Sequence, residues 1–199
     1  MKLYILWLVC IACNTPIEKE RVIDTHFSGR LSQAVSNQVK DKVVYNGSYY
    51  KIGYPNGDVP KGIGVCTDVV IRAYRAVGVD LQKEVHEDMV KAKSEYDKRR
   101  HTDKLDPSID HRRCPNLITY FTRQGAKLSI TNKDTDYKPG DIVFWDYGGG
   151  HVGMVSNVKV PGTKRFYMVH NHGWGNQMQD FLFKHKIVAH FRWVPSDTK

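Results

Sequence analysis

The pattern of this chain changes at Gly125, and the change limits the folds open to it. Before it, apolar residues recur at helical spacing. Leu31, Ala34, Val35 and Val39 predict a helix over about 28–40, and Leu81, Val85, Met89, Ala92 and Tyr96 line one face of another. Val69, Val70, Ile71, Ala73, Tyr74, Ala76 and Val77 predict a mostly buried helix between them, with Thr67 as N-cap and Gly78 as stop. Pro115 suits the first helical position of Asn116–Gln124, which Gly125 closes. After Gly125 come short β-rich runs separated by turn residues: Ala126–Ile130, Asp141–Trp145, His151–Val158, Arg165–His170 and Ile187–Val194. Helices first and strands afterwards predict an α+β fold. One earlier strand pair is expected as well, a hairpin of Val43–Tyr45 and Ser48–Tyr50 about Asn46-Gly47, a dipeptide that suits a tight primed turn.

At 199 residues the chain suits one domain with a full-sized core. Residues 1–12 are a charged start followed by an apolar run too short to span a bilayer, which fits an export signal. Ile11-Ala12-Cys13 resembles a bacterial lipobox, although Cys10 stands where that pattern usually has leucine. The expected layout is therefore a signal peptide (1–12), a tether lipidated at Cys13 (13–27) and one folded domain (28–199). That places the protein in the bacterial cell envelope, held to a membrane by its N-terminal lipid, or otherwise periplasmic or secreted. The formal net charge is +9, and removal of residues 1–12 takes away Lys2 alone, leaving +8. Such a field favours polyanions, among them acidic wall polymers. No RNA-binding aromatic signature, zinc-finger spacing or single basic helix is present, so nucleic acid is not an expected partner.

The stretch Gly62-Ile63-Gly64-Val65-Cys66-Thr67-Asp68 places a cysteine where a turn becomes a helix. Unpaired N–H groups and the positive end of the dipole favour thiolate there, and the thiolate is the nucleophile. A buried structural cysteine is the plainer alternative. A thiol nucleophile needs a base that takes its proton and later protonates the leaving amine, and an imidazole does both near neutral pH. A third polar group must then hold the imidazole in the useful tautomer. Two further stretches offer these parts. Lys138-Pro139-Gly140-Asp141-Ile142-Val143-Phe144-Trp145 leads through Gly148-Gly149-Gly150 to His151-Val152-Gly153, and Phe166–His170 is a strand ending in polar groups.

The order of cysteine helix, Pro-Gly-Asp-Ile-Val-Phe, His-Val-Gly and Val-His resembles the NlpC-type papain-like cysteine peptidases of bacterial cell walls. Gly57-Asp58-Val59-Pro60, Val65-Cys66-Thr67-Asp68, Val85-His86-Glu87-Asp88-Met89, Ile109-Asp110-His111-Arg112-Arg113 and His170-Asn171 are more closely similar to the bacterial domain-of-unknown-function family 1287. The wider resemblance spans about residues 50–194. It implies a cysteine-bearing helix packed on a C-terminal antiparallel sheet, amide hydrolysis in peptidoglycan stem peptides, and no cofactor. It matches Cys66 to the nucleophile, His151 to the base, His170 to the third residue, and Tyr54 to an active-site tyrosine twelve residues before the cysteine (66 − 54). Thr67-Asp68 replaces the usual Ser-Gly, which implies a more polar, acidic pocket. The connection from His151 to His170 is longer than usual, and Asn171 is the rival third residue if the strand has ended there.

His111, Arg112 and Arg113 read either as a clamp for a substrate carboxylate or as a solvated basic loop. Asp68 and Asp146 suit holding an amine or orienting a histidine, or else cap and turn roles. Trp174, between two glycines, lines a sugar- or peptide-binding cleft or packs in the core. Two other functions stay open: a non-catalytic envelope protein that binds wall material, and a zinc hydrolase using His151, His170 and His172 with Asp146. The latter lacks any HExxH or paired CxxC spacing. The two cysteines of the body, Cys66 and Cys114, do not make a disulfide scaffold, although a bond between them is compatible with the sequence.

Overall fold

The computed structural model describes residues 25–96 and 104–196. The signal segment, Cys10, Cys13 and all but the last three residues of the expected tether lie outside the described residues. Helix α1 (Thr25–Asn37) begins ahead of the boundary expected at residue 28 and runs into a 3-10 turn at Gln38–Lys40. Phe27, Leu31 and Val35 turn inward from it, all at most 2 % exposed. Helix α2 (Cys66–Ala76) is the buried centre of the helical layer. It is followed by α3 (Leu81–Lys91) and α4 (Cys114–Arg123). Asp80 caps α3 by accepting from the Gln82 N–H at 3.0 Å, a bond that typically contributes about 1 kcal/mol.

Strands β1 (Val44–Tyr45) and β2 (Ile63–Gly64) pair in parallel as a separate two-stranded sheet. The five others are β3 (Ile142–Trp145), β4 (His151–Lys159), β5 (Phe166–Asn171), β6 (Asn176–Gln179) and β7 (Ile187–Phe191). They form an antiparallel sheet in the order β6-β5-β4-β3-β7. Its side chains alternate between two apolar layers. Ile142, Phe144, Val152, Met154 and Val169 join the helices, while Val143, Trp145, Val155 and Met168 meet Tyr137, Phe181 and Leu182 on the other face. Covering both faces accounts for the unbroken apolar run of β3, where a half-exposed strand would alternate. The α+β class and the cysteine helix packed on an antiparallel sheet are both found.

Three local expectations are corrected. Val43–Tyr50 is not a hairpin, because the backbone of β1 finds a distant partner in β2: the Val44 and Asn46 N–H groups donate to Gly62 O and Gly64 O. The Asn46 side chain instead forms a local turn, accepting from the Ser48 N–H at 2.8 Å. Ala126–Ile130 is not a full strand, and Lys127 makes a single bridge to Phe191 beside the edge of β7. Strand β6 was not expected, since Asn176-Gln177-Met178-Gln179 has none of the β-branched or aromatic residues that mark strands.

Candidate active site

Val65 is the extended N-cap of α2 and Cys66 is the first helical residue, so Thr67 is not the cap. Asp68 does the capping work from inside the first turn, its carboxylate accepting from the Val65 N–H at 2.7 Å. The same carboxylate accepts two bonds from Arg112, Nε to Oδ1 and Nη2 to Oδ2, each at 2.9 Å. Thr67 Oγ1 donates to Arg112 O at 3.1 Å. Residues 66–68 and 112–114 are thereby fixed to each other, and Cys114, the first residue of α4, lies beside Cys66 with 3.9 Å between the sulfurs.

His151 is the first residue of β4, reached through Gly148, Gly149 and Gly150, whose φ angles of 58°, 85° and 118° are ones that side chains beyond glycine rarely adopt. Its ring shares the sheet face of His170, Trp145 and Phe181. His170 is paired with Gly153 across β4 and β5. A Cβ built on Gly153 would stand 2.9 Å from His170 Cβ and 2.9 Å from Val169 O, so the glycine of His-Val-Gly is what lets β5 bring His170 in.

The hydrogen bonds fix the direction of proton traffic. Gln179 donates through Nε2 to Gln177 Oε1 at 2.6 Å, which turns its own Oε1 toward His170 Nε2 at 3.1 Å. Burial holds the His170 pKa down at about 3, aided by the neighbouring His151 and His172, so this ring is neutral. With its proton on Nε2 facing an acceptor, His170 presents Nδ1 as a lone pair. His151 Nε2–H donates to it at 2.9 Å. That leaves His151 Nδ1 to receive a proton. His172 Nε2 also reaches Gln179 Oε1, at 3.4 Å.

The thiol of Cys66 is held well below its ordinary pKa. The largest cause is the hydrogen bond with Cys114, followed by the hydrogen bond and charge of His151 and the Val152 N–H; burial opposes them. Tyr45 has its phenol pKa raised, first by burial and then by the negative charge that Cys66, Cys114 and Asp68 can carry. A group with these parts can deprotonate a thiol, hold the imidazolium that results and offer the helix-start N–H groups to a developing oxyanion.

The other expected residues fall in two groups. Asn171 points to the opposite side of the strand from His170, where its Nδ2 donates to Gly64 O at 3.4 Å. The His151 ring therefore contacts His170 and not Asn171. Asp68 and Arg112 are spent on each other, with both side chains 3 % exposed, so neither the acidic pocket nor the carboxylate clamp is formed by them. His111 is buried, and burial lowers its pKa to about 4, which removes it as an anion binder near neutral pH. Arg113 is the half-buried N-cap residue of α4. Tyr54 is edge-on to His86 and donates to Glu87 at 3.3 Å; the tyrosine whose phenol feels the charge of Cys66 and Cys114 is Tyr45. Asp146 is exposed at the end of β3, its backbone N–H bonded to Lys186 O. Trp174 is 81 % exposed in the β5–β6 turn, which rules out core packing. The zinc arrangement is not formed: His151 and His170 face each other, and among the described residues no three acidic, histidine or cysteine side chains are placed to share a cation.

Pro139-Gly140-Asp141, a prominent part of the sequence pattern, serves the scaffold. Asp141 is fully buried and accepts from the Lys138 N–H, from His190 Nε2 and from both Nε and Nη2 of Arg192, all between 2.6 and 2.8 Å. It ties the start of β3 to β7. The residues that sequence reasoning missed are Tyr45, Gln177 and Gln179, together with the position of Cys114. Only Cys114 left a signal, as a second cysteine just before a helix-starting proline.

The family described as "Domain of unknown function (DUF1287)" matches residues 32–193, and the chain belongs to it. A relative in Escherichia coli (strain K12), "Uncharacterized protein YijF", is 42 % identical over 166 residues, covering 82 % of this chain and 80 % of that one. A solved structure, "Structure of NlpC1 from Trichomonas vaginalis", superposes with a TM-score of 0.42 at 14 % identity over 83 % of this chain. This chain spans 44 % of that protein's length.

Proposed function

We propose that this member of family 1287 is a papain-like cysteine hydrolase of the bacterial cell envelope that cleaves amide bonds in peptidoglycan stem peptides. The observation that carries the reading is the hydrogen-bonded line His151–His170–Gln179 together with the Cys66 thiol, whose pKa is lowered first by Cys114 and then by His151. Cys66 Sγ adds to the amide carbonyl as His151 Nδ1 takes the thiol proton. The oxyanion lies against the Cys66 N–H, which as a first-turn group has no carbonyl partner within the helix. His151 then gives the proton to the departing nitrogen, and water, deprotonated by His151, releases the acyl group from sulfur. His170 accepts the His151 Nε2–H bond throughout and holds the imidazolium in place. Wall peptides as substrate rest on the superfamily resemblance, the N-terminal export pattern and the basic charge of the chain. Envelope anchoring through Cys13 rests on the sequence of residues 1–13.

Digestion of purified peptidoglycan by wild-type protein beside Cys66→Ala, with fragments read by mass spectrometry, tests the proposal. New fragments from wild type alone support it and identify the bond. Equal cutting by both proteins, or uncut wall peptides, simple amides and acyl esters from folded wild type, would refute it.

A further inference from the structure

We propose that Cys66 and Cys114 form a modification site, a reversible disulfide that closes the nucleophile to both substrate and further oxidation. The idea builds on the reading of Cys66 as nucleophile, although bond formation itself needs no hydrolysis. The geometry is specific. Both cysteines are the first residues of helices, α2 and α4, so the pair of sulfurs lies at two helix N-termini. The helix starts are joined by the buried Asp68–Arg112 pair and the Thr67–Arg112 bond, one and two residues from the cysteines. The sulfurs are 3.9 Å apart. A disulfide needs about 2.05 Å, a closure within reach of side-chain rotation where the backbones are already adjacent.

Cys114 is partly exposed, with its S–H donating to Gly150 O at 3.7 Å, immediately before His151. It therefore stands at the mouth of the site while Cys66 lies inside. The redox step balances with a hydroperoxide as oxidant. The Cys66 thiolate attacks the outer oxygen, the O–O bond breaks, and Cys66 becomes a sulfenic acid as the proton that His151 took from the thiol passes to the departing oxygen, which leaves as an alcohol or water. Cys114 sulfur then attacks the sulfenic sulfur, its proton leaves with the hydroxide as water, and the S–S bond forms. Two electrons have passed from the two thiols to one peroxide. Without a resolving thiol at hand, a sulfenic acid proceeds to sulfinic acid, which simple thiols do not reverse.

The test is to treat the full-length protein with hydrogen peroxide and map its peptides by mass spectrometry, which separates this pair from Cys10 and Cys13. The proposal expects a 66–114 linked peptide lacking two hydrogens, reversed by dithiothreitol. In Cys114→Ser, sulfinic acid should accumulate on Cys66 instead. Sulfinic acid on Cys66 of wild type at the rate seen in Cys114→Ser, with no linked peptide, would overturn it. Wall digestion by reduced, oxidised and re-reduced protein separates the two readings. Linkage without digestion in any state would leave the disulfide standing and count against the hydrolase. Digestion unaffected by complete linkage would overturn the closure of the site.

Discussion

Removal of Arg112 separates a structural reading of this residue from a substrate-binding one. Its guanidinium makes a bidentate pair with Asp68 in which both side chains are 3 % exposed. Arg112→Ala leaves a buried carboxylate whose remaining partner in this network is the Val65 N–H. Breaking a buried pair in this way costs about 3–5 kcal/mol, against a total stability of roughly 5–15 kcal/mol for a typical domain. At about 2–4 °C per kcal/mol for a chain of this size, the unfolding midpoint should fall on the order of 10 °C. The cost should be conditional on the partner. In a double-mutant cycle by thermal or urea unfolding, Arg112→Ala should cost much less in an Asp68→Asn background, where no charge is stranded. Lys83→Ala, which removes an exposed pair with Glu87, serves as a control and should leave the midpoint unchanged. If Arg112→Ala kept the wild-type midpoint and only weakened substrate binding, the arginine would be a carboxylate clamp and this reasoning would be wrong.

Gly153→Ala should fold less stably by about 1–3 kcal/mol, because its Cβ must push His170 and the β5 backbone away; the Cys66 alkylation rate should fall with it, and a wild-type rate would separate the glycine from the site. Gln179→Leu should slow Cys66 alkylation by roughly ten- to a hundredfold, as expected on losing an outer hydrogen-bond partner, and Gln179→Glu, which keeps an acceptor toward His170, should restore most of it. Equal rates in all three proteins would remove the tautomer argument. Stability should also drop as pH falls from about 6.5 toward 4. The unfolded chain binds a proton at His111 across that window, whereas the folded ring, its pKa lowered to about 4 by burial, does not. That difference is about 3 kcal/mol in full; His170, with its pKa lowered to about 3, adds a loss of the same sign, so His111→Phe should make this part of the pH–stability curve shallower without levelling it.

The parts of the fold legible in the sequence were those set by local pattern. Strand β3 is wholly apolar, helix α2 carries the apolar run Val69–Ile71 with Ala73 and Tyr74 on its buried side, and the histidine opening β4 follows a glycine run that only a turn can use. The parts that were not legible depend on partners far along the chain. Asn46-Gly47 is a sound hairpin signal, yet β1 pairs with residues 62–64, because the loop between them returns to the start of α2. That same return brings Tyr45 within reach of the charge on Cys66. Arg112 reads equally as a carboxylate clamp or as part of a solvated basic loop because Asp68, which neutralises it, is 44 positions away. Gln179 sits on a polar strand with no apolar alternation, so nothing in its neighbourhood marked it as the group that sets the His170 tautomer.

The central claim is that the Cys114 hydrogen bond and His151 together make Cys66 an activated nucleophile, and site-resolved alkylation tests it most directly. The rate of iodoacetamide labelling at Cys66 should be followed from about pH 4 to 10 in wild type and in His151→Ala, by peptide mass spectrometry. The account predicts a wild-type profile whose midpoint lies well below the ordinary thiol value of about 8.5, with slower labelling near neutral pH once His151 is removed. A Cys66 that titrates like a free thiol, or one whose profile is the same in both proteins, would contradict it.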